Sequence, residues 1–192
     1  MKFPIIRGVA IIVFILPALL PAPAPAQEKG TAPSLAAPPG TTLSDIIECG
    51  EGYTSHELYD MKIALQEVIR GEEAWRRIRE ANSSNKPAGP GSEYLLARIR
   101  FEYKARSLPG VCAHPLAPEQ FIAYNANGED YRPALVAPPG PEMRKNLKSG
   151  ESLEGWVVFE VSREDRAPLM SYSAGDGGAV QHAGVKWFSL KQ

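Results

Sequence analysis

The sequence predicts an all-β fold, two packed antiparallel sheets with one short helix inserted between strands. Three observations carry this reading: apolar residues recur at period two in several short runs, turn residues separate those runs, and one segment alone shows helical spacing.

The ordered domain is expected to begin at residue 42. Before it, residues 1–26 run from Lys2 and Arg7 through the apolar stretch Val9–Leu16 to Ala24-Pro25-Ala26, the charged, apolar and cleavable layout of a secretory signal. Cleavage is placed before Gln27, because cutting after Ala24 would leave Pro25, which lacks an N–H, just past the scissile bond. The apolar run is interrupted by Pro17 and falls short of the ~20 residues that cross a bilayer. Residues 27–41, QEKGTAPSLAAPPGT, have a composition that buries little apolar surface against its ordering entropy, and are read as a disordered spacer.

From residue 42 the strands follow in order. Asp45–Cys49 opens the series, and Met61, Ile63 and Leu65 then alternate with Lys62, Ala64 and Gln66. The helix is placed over Glu72–Asn82: Ala74, Trp75, Ile78, Ala81 and Asn82 share one face, with Arg76, Arg77, Arg79 and Glu80 opposite. Gly71 serves as its N-cap, Glu72 and Glu73 suit the positive end of its dipole, and the Pro/Gly-rich stretch 85–91 prevents its continuation. In Tyr94–Tyr103, Leu95, Ala97, Ile99, Phe101 and Tyr103 make a dry face against Leu96, Arg98, Arg100 and Glu102. Phe121–Tyr124 and Glu129–Tyr131 flank Asn127-Gly128, a pair tolerant of positive φ, and form a hairpin. Trp156–Val161, Leu169–Tyr172 and Lys186–Leu190 complete seven to nine strands. An open barrel is the alternative architecture.

The composition narrows the function classes. Loss of Lys2 and Arg7 with the leader moves the formal charge from −1 to −3, so the domain has no basic stripe for nucleic acid and no polybasic patch for anionic lipid. With no cysteine before Cys49, nothing argues for a lipid tether, and no membrane insertion is expected after cleavage.

The common enzyme signatures are missing. His56-Glu57-Leu58-Tyr59-Asp60 approaches the zinc-protease motif, but Asp60 stands where the second histidine is needed and the segment leads into a strand. His56, His114 and His182 each fall in an expected loop and are read as solvated. There is no G-x-S-x-G elbow, and Gly175-Asp-Gly-Gly178 lacks the third glycine and following helix of a dinucleotide fingerprint. Glu72 with Glu73, and Glu164 with Asp165, have ordinary places at a helix start and in a turn. Trp75, Trp156 and Trp187 occupy positions that ought to face the core, so they are read as packing and not as a sugar platform. No catalytic residue, metal ligand or cofactor is assigned.

The motifs EVIRGEEAW over 67–75, EANSSNKP over 80–87, GSEYLLARIR over 91–100, GESLEGWVVFEV over 150–161 and WFSL over 187–190, in this order, resemble a known family. It is the bacterial extracellular immunoglobulin-like family known as domain of unknown function 4352, similar in fold to a secreted immunoprotective antigen of mycobacteria. The resemblance spans roughly Ser44 to Leu190 and implies an immunoglobulin-like β-sandwich and an exported location, with no catalytic residue to carry over. Cys49 and Cys112 lie outside its pattern, and the 175–184 stretch reads as a local insertion.

Two cysteines in an exported domain are expected to form a Cys49–Cys112 disulfide, because the compartment is oxidising; two unpaired thiols are the alternative. The expected function is therefore a secreted, non-catalytic module that contacts a protein, an envelope component or a small ligand. A small hydrolase with a loop-built site and an envelope-structural domain are the other readings.

Overall fold

A computed structural model describes residues 28–49, 57–108, 110–175 and 183–192. The leader at 1–26, with His56 and His182, lies outside the described residues. The elements are β1 (Thr42–Cys49), β2 (Glu57–Arg70), α1 (Gly71–Ala81), β3 (Ser92–Ala105), β4 (His114–Leu116), β5 (Phe121–Tyr124), β6 (Lys145–Leu147), β7 (Ser152–Ser162), β8 (Leu169–Tyr172) and β9 (Lys186–Ser189).

One antiparallel sheet runs β1-β2-β3-β7, a second runs β5-β8-β9, and β4 pairs with β6. Ile63, Leu65, Ile99 and Phe101 of the first sheet share a single buried cluster with Met170, Tyr172 and Phe188 of the second and with Leu116 and Leu147 of the short pair. The predicted class holds: this is an all-β antiparallel sandwich with one inserted helix.

The helix lies on the outer face of the first sheet, and the sequence of β2 shows how it gets there. Tyr59, Met61, Ile63 and Leu65 point inward until the register shifts between Leu65 and Glu67, where a bulge at Gln66 reverses the parity of the strand. Val68 then packs against the inner core, while Ile69 turns outward opposite Leu96. Gly71 follows at φ +66, which costs least at glycine, and lets the helix start directly from the strand. Ala74 and Ile78 pack with Ile69, Tyr94, Leu96 and Trp156 in a second, smaller core. The buried stripe is narrower than the sequence implies, since Ala81 and Asn82 are exposed. The opposite face carries the exposed pairs Arg76–Glu73, Arg76–Glu80 and Arg77–Glu73, each worth a few tenths of a kcal/mol on a helix surface.

The expected spacer is not disordered. Within residues 28–41, Pro33–Leu35 forms a 3-10 turn and Ala37 is fully buried. Trp187 N donates to Gly30 O (2.9 Å), Ala37 N to Trp187 O (2.9 Å) and Ser189 N to Ala37 O (2.9 Å), so this segment lies along β9. The composition argument fails because an existing strand edge supplies backbone partners that an isolated polar segment lacks.

The other correction to the strand inventory is β4 with β6. His114 is not in a loop: it lies in β4, fully buried, its ring stacked on Phe101 at 5.2 Å and its Nε2 2.9 Å from the Tyr172 hydroxyl. The chain turns back at Asn127-Gly128 as expected, with Asn125 N donating to Glu129 O and Tyr131 N donating to Ala123 O, but only Gly128 takes positive φ (+82), and Glu129–Tyr131 is not a strand: it meets β5 through a single bridge, Tyr124 to Asp130.

Candidate ligand-binding groove

β7 is an edge strand of the first sheet and β5 an edge strand of the second, so one side of the sandwich would be open between them. The chain after the hairpin crosses this side. Pro133 bridges Phe159, Glu142 bridges Trp156, and Trp156 N donates to Pro141 O at 2.9 Å. Gly155 is what allows so close a pass: a Cβ there would sit 2.5 Å from Pro141 O and 3.0 Å from Met143 Sδ. Asn85 fixes the far end of the crossing segment, accepting from Ala137 N and donating to Ala137 O at 3.0 Å each, while also donating to Ile78 O at the end of α1.

Between the crossing segment and the two edge strands runs a groove of about 390 Å³. Its walls are apolar: Phe121 and Ala123 from β5, Val157 and Phe159 from β7, and Ala134 and Val136 from the crossing segment. Ile122, 39% exposed, stands at its opening.

The polar groups of the groove collect at its rim, and most are engaged with each other. Arg144 donates to Glu119 (2.5 Å) and to Glu142 (3.2 Å). The bond from Arg144 holds the Glu119 carboxyl below its ordinary range, and the two carboxylates raise the guanidinium in turn. Tyr131 donates to Asp165 at 2.7 Å; its burial, followed by that bond, pushes the phenol up to about 12. Neither group is poised for proton transfer near neutral pH. Among the described residues, every buried side-chain nitrogen and oxygen has a hydrogen-bond partner. What the groove offers a ligand is apolar burial, and a volume in the range of small-molecule sites.

The residues singled out from sequence are scattered relative to this groove. Trp156 lines it, with the Arg77 and Arg98 guanidiniums 5.6 and 6.0 Å from its ring centre. Trp75, on α1, rests half-buried against Tyr94 of β3. Trp187 corrects the core reading: it is half-buried on the outer face of β9, its ring 5.1 Å from that of Tyr124, because Lys186, Phe188 and Leu190 are the side chains of that stretch that are buried. Glu73 is taken up by Arg76 and Arg77, and Asp165 by Tyr131.

Cys49 and Cys112 sit at another corner of the sandwich with Cα atoms 6.4 Å apart, within the span of a disulfide. Around them, Tyr59 and Tyr103 stack at 4.3 Å, Cys112 N donates to the Tyr59 hydroxyl (2.8 Å), and that hydroxyl donates to Glu57. Burial first and Glu57 second push the Tyr59 phenol up to about 12. This cluster holds its segment in place and takes no part in lining the groove.

Glu119, Asp130, Glu142 and Arg144, the charged groups of the groove, escape sequence reading. They come from short loops joined only by the fold, and no spacing within 118–144 marks them as a set.

No family model matches the chain, and no curated protein does. Among solved structures, the crystal structure of MPT63, a secreted protein from Mycobacterium tuberculosis, is similar to it at a TM-score of 0.40 and 16% sequence identity, over 73% of this chain and 90% of that one.

Proposed function

We propose that this chain is an exported, non-catalytic binding module of the immunoglobulin-like kind, and that its ligand enters the groove between β5 and β7. The observation that carries the reading is the division of that groove into apolar walls and a rim whose arginine and tyrosine are already bonded to carboxylates. Such a surface supplies affinity by burying apolar area, at roughly 25 cal/mol per Å². The leader-like N-terminus and the Cys49–Cys112 pair support an oxidising destination, and the bridge itself belongs to the proposal.

Titration with the neutral, polarity-sensitive fluorophore N-phenyl-1-naphthylamine tests the groove. Saturable one-to-one binding is expected. Ala134→Trp, which places an indole in the groove from its half-buried position on the crossing segment, should weaken binding by about tenfold or more, equivalent to ~1.4 kcal/mol, with little change in the unfolding temperature. Non-saturable binding, or binding indifferent to Ala134→Trp, overturns the proposal.

A further inference from the structure

We infer that the ligand of this groove is a small cationic amphiphile, an apolar body carrying one positive head group. The inference rests on the binding function proposed for the groove and adds the chemical class of the ligand.

Its basis is the charge balance at the rim. The groove is lined by three carboxylates, Glu119, Asp130 and Glu142, and by one guanidinium, Arg144. Arg144 is divided between Glu119 and Glu142, and the exposed Asp130 carboxylate forms no ion pair with a described residue. Among the lining groups carboxylates therefore exceed cations by two, at a cleft whose walls are apolar, and Arg132, exposed two positions from Asp130, forms no ion pair with it. Low-dielectric walls concentrate such a field at the opening. The arginines nearest on the far side of Trp156 do not cancel it: Arg77 is paired with Glu73, and Arg98 with Glu154 and Glu67.

The two halves of the site select together. A purely ionic ligand gains nothing from Phe121, Val157 and Phe159, and a fatty acid or other anionic amphiphile would bring its head group against Asp130 and Glu119. A cation with an apolar body satisfies both, its head group replacing the partner that Asp130 lacks. A volume near 390 Å³ sets the scale of the apolar body at that of a drug-sized molecule and not of a protein domain.

Three amphiphiles with the same twelve-carbon tail, dodecyltrimethylammonium, dodecyl maltoside and dodecyl sulfate, each below its micellar concentration, should be compared as competitors of bound N-phenyl-1-naphthylamine at low salt. The trimethylammonium compound is expected to displace the probe at about tenfold lower concentration than the sulfate, with the maltoside between them, and raising the salt to about 0.5 M should narrow the gap. In Glu119→Gln/Asp130→Asn the order should collapse to within about threefold, each competitor being compared against that variant's own affinity for the neutral probe. Equal displacement by all three, or a preference that survives the double substitution, overturns the cationic assignment and leaves the groove standing. Failure of the neutral probe to bind overturns the groove and this inference with it. Unfolding temperatures recorded with each amphiphile separate displacement from denaturation.

Discussion

Replacing Cys112 with serine is expected to lower the free energy of unfolding by about 4 kcal/mol, the chain-entropy value for releasing a closed loop of roughly 64 residues. The two cysteines are separated by 63 positions, and the intervening chain holds all of β2, α1 and β3. Local bonding cannot substitute for the link. Cys112 N does bond to Tyr59 (2.8 Å) and to Glu57 (3.2 Å), but those bonds are retained by serine and act only in the folded state, whereas the cross-link acts on the unfolded chain. Urea unfolding with and without reductant checks this. The wild type should lose the same increment on reduction that Cys112→Ser loses outright, and the variant should be indifferent to reductant. Two thiols titrating per unfolded, unreduced chain would remove the basis of the expectation.

Asp45→Asn is expected to cost about 3 kcal/mol, the lower end of the range for deleting one partner of a buried ion pair. Lys186, 8% exposed, lies on β9 with its ammonium 2.7 Å from Asp45 Oδ2 on β1, and Gly184 N donates to the same oxygen. Asparagine leaves that ammonium buried without a counter-charge. Lys186→Met should cost much less, because it removes the buried charge and leaves a partly exposed carboxylate that water can serve. Urea unfolding of the two variants beside the wild type gives both increments.

The pair also has a pH signature. Desolvation alone would raise the Asp45 carboxyl, but the Lys186 bond, the backbone bonds and the ammonium charge outweigh it and hold the carboxyl below its ordinary value of 3.8. A depressed folded value means that the contribution is complete above the unfolded value and is lost as pH falls through 3.8 and on through the lower folded value. Other depressed carboxyls, Glu119 among them, titrate in wild type and variant alike. The difference between the two stability profiles therefore isolates Asp45: it should be flat from about pH 7 down to about pH 5 and shrink below about pH 4.

Where local pattern and burial agree, the strands were legible from sequence. Phe121–Tyr124 and Leu169–Tyr172 have the same limits in both readings, and Tyr94–Tyr103 lies within the longer β3. What could not be read depended on distant partners. Leu96 alternates as an outward residue and is nevertheless buried, because the bulge at Gln66 brings Ile69 and then α1 over it. Lys186-Trp187-Phe188 offers two parities. A tryptophan-inward choice looks better by side-chain size, but Asp45 across the sandwich makes lysine acceptable inside, and Phe188 and Leu190 decide the matter. β4 and β6 are three residues each, contain Pro115 and Asn146, and acquire strand character only by pairing with one another. The groove was the least legible feature, since its walls belong to two sheet edges and its charges to separate loops.

The segment at 30–37 has a consequence for the order of events in folding. It holds the earliest described residues of the chain against the last strand, with Trp187 and Ser189 exchanging backbone bonds with Gly30 and Ala37 across some 150 positions of sequence. Chain synthesis makes one side of this seam first and the other side last. The seam can close only when β9 is available, and because contacts of such separation carry a heavy loop-closure cost, it should close late even then. Until it does, β9 presents a bare row of amide and carbonyl groups to any neighbouring chain. Segment 30–37 and β9 thus act as a latch on a finished sandwich, and a chain stopped short of β9 leaves that segment with nothing to fasten to.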